Sequence, residues 1–115
     1  MTALRVLVTV VSVAVSGHAI ADGGSKTFSS DRWLSGQKTG FGPVVEHPGI
    51  EFATMSEEHG TLELGGSDYT PKIGDRLTII PNHVCTCVNM DDNLHFHREG
   101  IVEGSWPVAG RGKVR

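Results

Sequence analysis

The sequence predicts an all-β domain, a compact barrel or sandwich of short strands with one long loop around residues 29–42. Three observations lead there. Short runs rich in Val, Ile, Thr and aromatic residues recur along the chain. Clusters of Gly, Asn, Asp and Ser separate them, and fifteen glycines and five prolines in 115 residues imply frequent turns. No segment keeps a helical period across a window of about 11 residues.

The first run, residues 4–15, carries Val6, Val8, Val10, Val11, Val13 and Val15, with Thr9 and Ser12 interleaved, and reads as a strand. The same residues also read as a secretory leader. Arg5 would supply its positive region, residues 6–15 its apolar region, and Ala19-Ile20-Ala21 a small-x-small cleavage site before Asp22. Composition alone leaves both readings open. Gly17-His18 then turns the chain into a second strand, residues 17–22. Residues 29–42 are polar and Gly-containing and form the long loop, with one helical turn expected over 31–34. Further strands are expected at 44–47, 50–55, 61–64, 76–81, 83–90, 94–98 and 101–106. Gly23-Gly24, Gly65-Gly66-Ser67-Asp68, Lys72-Ile73-Gly74-Asp75 and Asp91-Asp92-Asn93 mark the turns.

Length and charge narrow the function classes. One core of domain size fits 115 residues, and two do not. Hydrophobic residues at 38% and charged residues at 20% suit a globular chain rather than a disordered one. The net charge is -3 and no Lys/Arg cluster is present, which argues against a nucleic-acid partner. No run reaches the roughly 18 apolar residues of a membrane helix. Cys85 and Cys87 are too few for a disulfide framework and too close to bridge without strain, so a reduced, cytoplasmic setting is expected. The alternative is a secreted or periplasmic protein, if residues 1–21 are a leader.

Ligand-type residues are densest from His83 to His97. On a strand, His83, Cys85 and Cys87 would share one face. Imidazole nitrogen and thiolate sulfur are ligands that zinc favours, so His83-x-Cys85 forms a half-site. Three residues match such a pattern easily by chance, and two small buried side chains beside a surface histidine is the plainer reading. His95 and His97 lie past the Asp91-Asp92-Asn93 turn. A two-residue turn would put them opposite the His83 face, and a three-residue loop would pair His97 with Cys87. Two more segments stand out, Ser56-Glu57-Glu58-His59-Gly60 and Asp22-Gly23-Gly24-Ser25-Lys26. Each on its own suits a solvated turn.

Together these segments carry a resemblance. Gly74-Asp75-Arg76-Leu77-Thr78-Ile79-Ile80-Pro81-Asn82-His83-Val84-Cys85-Thr86-Cys87-Val88-Asn89 resembles the C-terminal β-domain of D-serine dehydratase and D-threonine aldolase-like proteins. Residues 22–31, residues 56–60 and Ser105-Trp106-Pro107-Val108-Ala109-Gly110-Arg111-Gly112 follow in that family's order. The resemblance favours a strand at the N-terminus. It implies an alanine racemase-like, fold-type III enzyme in which a barrel carries pyridoxal phosphate and a β-domain follows. It also implies that His83 and Cys85 are the metal ligands, for zinc or another divalent ion. Cys85 leans towards the dehydratase branch, since an Asp is common there among the aldolases. Two positions depart from the pattern: Cys87 stands where Thr is usual, and His95 and His97 stand where apolar or aromatic residues are usual.

A (β/α)8 barrel takes ~250 residues, and Lys26, Lys38, Lys72 and Lys113 all fall in turns or termini. Residues 1–115 are therefore expected to be one β-domain, a fragment without the cofactor barrel and inactive alone. In the parent enzyme the resemblance implies pyridoxal phosphate, the barrel as partner, a D-amino-acid substrate and a homodimer. The reaction would be β-elimination from D-serine or retro-aldol cleavage of D-threonine. Two alternatives come from other classes. One is a structural zinc domain closed by His83, Cys85, Cys87 and His97. The other is a cupin-like barrel using His95, His97 and Glu103, whose spacing is too long for that motif.

Overall fold

The structure is a computed structural model that describes residues 2–33 and 40–113. Among the described residues seven strands carry most of the fold: β1 (Val6–Ser12), β2 (His18–Ala21), β3 (Glu51–Met55), β4 (Gly60–Glu63), β5 (Arg76–Ile79), β6 (Asn93–Arg98) and β7 (Ile101–Pro107). Two short helices accompany them, α1 (Ser25–Phe28) and α2 (Val84–Met90). Five strands form one antiparallel sheet in the order β3-β4-β2-β1-β5, and β6 and β7 form a separate hairpin.

The valine-rich first run lies inside this sheet. Val8 and Val10 are buried while Leu7 and Val11 face outward, the period-two alternation of a strand with one wet face. Val8 stands opposite Leu77 of β5, and Val10 opposite Ala21 of β2. The sheet curls because residues between α1 and β3 tie its two outer strands together. Pro43 bridges Glu51 of β3, and Val44 bridges Ile79 of β5. Phe41 N–H donates to Phe52 O and Val45 N–H to Thr78 O, at 3.0 and 2.8 Å. Both sheet edges thereby gain partners, and the sheet approaches a barrel. Phe52 fills the interior, with Phe28 of α1 edge-on at 5.0 Å and Phe41 at 5.7 Å.

Several expectations need correction. Residues 84–90 are helix α2, not a strand. β-branched Val84, Thr86 and Val88 suggested a strand, but Val84, Cys87 and Val88 recur at helical spacing, and Cys87 is buried. Seven residues are too few for periodicity to outvote local propensity. The histidine-bearing strand consequently pairs with β7, not with residues 83–90: His95 faces Ser105 and His97 faces Val102. Residues 44–47 supply one isolated bridge instead of a strand. Asp31, Arg32 and Trp33 are not helical, and Leu34 and Lys38 lie outside the described residues.

Candidate metal site

Gly23 and Gly24 let the chain leave β2 and run tight against the β3–β4 turn. Ser25 N–H donates to Ser56 O at 2.9 Å, and Lys26 N–H donates to Glu57 O at 3.1 Å. A side chain on Gly24 would collide with those same backbone atoms. Lys26 also pairs with Glu58. The two motifs that looked like separate solvated turns are therefore one docked unit. It delivers α1, and after it Ser29 and Asp31, to the start of α2.

Ser29 ends α1 at φ 64, ψ -174, a conformation that side chains rarely adopt. Its Oγ accepts the Asp31 N–H at 3.2 Å. Asp31 Oδ2 then lies 2.6 Å from His83 Nδ1. Thr86 Oγ1 is 3.2 Å from Asp31 Oδ2, 3.2 Å from Ser29 Oγ and 3.1 Å from the His83 carbonyl. These contacts hold the Asp31 carboxyl below the usual carboxylate range: the His83 hydrogen bond contributes most, and the Ser29 and Thr86 hydroxyls reinforce it.

His83 is the N-cap of α2 and keeps an extended backbone, φ -129, ψ 98. It therefore does not follow helical side-chain geometry, and it lines one open hollow together with Cys85, Thr86, Asn89, Gly110 and Lys113. His83 and Cys85 line the same hollow, but the strand face expected to align them with Cys87 does not exist, because residues 84–90 are helical. Cys85 is exposed. Cys87 points the other way, into a cleft beside Val88, Asp91, His95 and His97, and is 1% exposed. Burial, and secondarily the Asp91 charge, pushes its thiol up to about 11.

The donors at the hollow suit a divalent metal. With Nδ1 held by Asp31, the ring presents Nε2, which has no hydrogen-bond partner among the described residues. The exposed Cys85 thiol lines the same hollow. Both are zinc-type donors, and an ion held by these two alone would keep positions for water or substrate. Among the described residues no three His, Cys, Asp or Glu converge as a cage. The four-ligand structural site is split between two clefts. The cupin-like set is dispersed as well, since Glu103 pairs with Arg98 on the exposed hairpin. Among the described residues, Lys26, Lys72 and Lys113 are all exposed, and none offers an enclosed amine for an imine with pyridoxal phosphate. Asp31 had no signal in the spacing. It lies 52 residues before His83, and only its place in the 22–31 segment hinted at a role.

A family profile for the serine dehydratase domain matches residues 3–97. The chain belongs to this family. An uncharacterized protein of Mycobacterium tuberculosis is 39% identical to it, over 96% of this chain and 85% of the relative. The crystal structure of D-threonine aldolase from Filomicrobium marinum superposes with a TM-score of 0.83 at 30% identity, covering 96% of this chain and 29% of the aldolase. D-threo-3-hydroxyaspartate dehydratase from Delftia sp. superposes with a TM-score of 0.75 at 30% identity, covering 90% and 31%. Two further matching structures of D-threo-3-hydroxyaspartate dehydratase are a histidine-to-alanine variant and, in a metal-free form, a cysteine-to-alanine variant whose substituted position lies two residues further on. The chain thus corresponds to a domain of the D-threonine aldolase and serine dehydratase family, and spans under a third of those two enzymes.

Proposed function

We propose that this chain is the metal-binding β-domain of a pyridoxal-phosphate-dependent lyase acting on β-hydroxy D-amino acids, with His83 and Cys85 as its two protein ligands. The observation that carries the reading is the hollow at the start of α2, where the imidazole edge opposite Asp31 and the exposed Cys85 thiol lie together. The His-x-Cys spacing matches that of the substituted histidine and cysteine in the D-threo-3-hydroxyaspartate dehydratase variants, which supports the same assignment. A zinc-like ion bound there would supply Lewis acidity towards a substrate hydroxyl. The chain's own part is to hold and orient that ion. Asp31 sets the imidazole ring, Cys85 supplies the anionic ligand, and the open side of the hollow leaves room for water or substrate. The cofactor lysine is assigned to a barrel partner, and the two free cysteines suit a reduced, cytoplasmic setting.

A second reading is a stand-alone metal-binding domain. The Mycobacterium tuberculosis relative favours it, because this chain spans 85% of that protein. Incubating the chain with pyridoxal phosphate, zinc and D-serine or D-threonine separates an enzyme from a domain. The expected result is no keto acid, no aldehyde and no cofactor retained after borohydride reduction. Substrate turnover or a reduced adduct on a lysine would contradict the assignment of the cofactor to another chain.

A further inference from the structure

We propose that Asp31 is the positioning residue of this site. Held by Ser29 and Thr86, it fixes the His83 ring with the proton on Nδ1 and the Nε2 lone pair turned to the hollow. The inference rests on the metal-binding reading for its purpose, though not for its geometry. An ionised carboxylate only accepts hydrogen bonds, so at 2.6 Å the proton between the two groups belongs to Nδ1. In the neutral imidazole that leaves Nε2 as the unprotonated nitrogen, the form a metal requires.

The carboxylate is itself held. Thr86, in the first turn of α2, reaches Asp31 Oδ2 at 3.2 Å, and Ser29 Oγ takes the Asp31 backbone N–H at 3.2 Å. Asn82 closes the other side, its amide donating to the carbonyls of Asp31 and Gly40 at 3.0 Å each. His83 and Thr86 thus reach the carboxylate while Ser29 and Asn82 hold the Asp31 backbone, although the side chain is 47% exposed. Ser29 accepts a backbone conformation that glycine tolerates far better, and its hydroxyl is what a glycine would forfeit.

The test uses the full chain and zinc. Asp31→Ala should weaken zinc binding on the order of 10–100-fold, the usual cost of removing such a partner. Thr86→Val should weaken it by less. In the metal-free protein above the imidazole titration, long-range 1H–15N spectra should show the Nδ1–H form of His83. Asp31→Ala should move it towards the Nε2–H form that free histidine prefers. A purely structural Asp31 would change the melting temperature and leave the tautomer alone. Wild-type zinc affinity with an unchanged tautomer in Asp31→Ala overturns the proposal. If His83→Ala binds zinc as the wild type does, or if neither binds it, the metal-ligand reading fails. The tautomer spectra then still decide whether Asp31 sets the ring.

Discussion

Cys85 and Cys87 are two residues apart yet stand in opposite chemical settings, because α2 turns them to different sides. Cys85 opens to the hollow, while Cys87 packs against the cleft wall with its thiol pushed up to about 11. A thiol reagent at pH 8 should therefore modify one cysteine in the folded protein, Cys85, and the second only after denaturation. Peptide mapping by mass spectrometry reads the order, and rapid modification of Cys87 in the native state would contradict it. Burial raises the folded-state value from 9.0, so the neutral thiol's contribution to stability is complete below pH 9 and fades as the pH climbs to about 11. A packing role for Cys87 was legible because cysteine is a small, mostly buried residue. Asp31 was not legible, since its link to His83 exists only once α1 is docked and residues 29–31 are placed.

At the scale of elements, strands were easy to read where one face is buried and the other wet. β1 shows this most clearly, with Val8 and Val10 inward and Leu7 and Val11 outward. α2 was misread because its β-branched residues carry strand propensity, while its helical stripe of Val84, Cys87 and Val88 spans little more than one turn. Tertiary packing decided that segment: Cys87 is buried, and Thr86 turns its hydroxyl back to the His83 carbonyl. β6 accordingly pairs with β7 instead of residues 83–90, although His97 still lines the cleft that Cys87 faces. The docking of α1 on the β3–β4 turn gives a sharper test of how the site is placed. Gly24→Ala should destabilise the fold by roughly 1–3 kcal/mol, because the added methyl meets the backbone of Ser56 and Glu57. It should also loosen zinc binding by displacing Asp31. Thermal unfolding combined with zinc titration checks both effects, and an unchanged melting temperature would mean that the turn yields without cost.

For the molecule as a whole, the curled five-stranded sheet is a scaffold whose one core serves a site at its surface. That core runs from β1 through Phe52 to Phe28 of α1, and α1 leads directly to the residues that hold His83. The β6–β7 hairpin stands outside it, with Ile101, Val102 and Trp106 exposed and Phe96 stacked on Trp106 at 4.4 Å. Family membership was legible from the order of the motifs, and the all-β class from the turn-punctuated runs. What the motifs perform structurally, two of them docking and a third starting a helix, depends on contacts between segments far apart in the chain. The central claim is that His83 and Cys85, and not Cys87, hold the metal. Equilibrium dialysis against zinc of the wild type, His83→Ala, Cys85→Ala and Cys87→Thr tests it most directly. The account predicts weak binding of one zinc per chain, lost in His83→Ala and Cys85→Ala and kept in Cys87→Thr. Loss of zinc in Cys87→Thr equal to that in Cys85→Ala would contradict the two-ligand site.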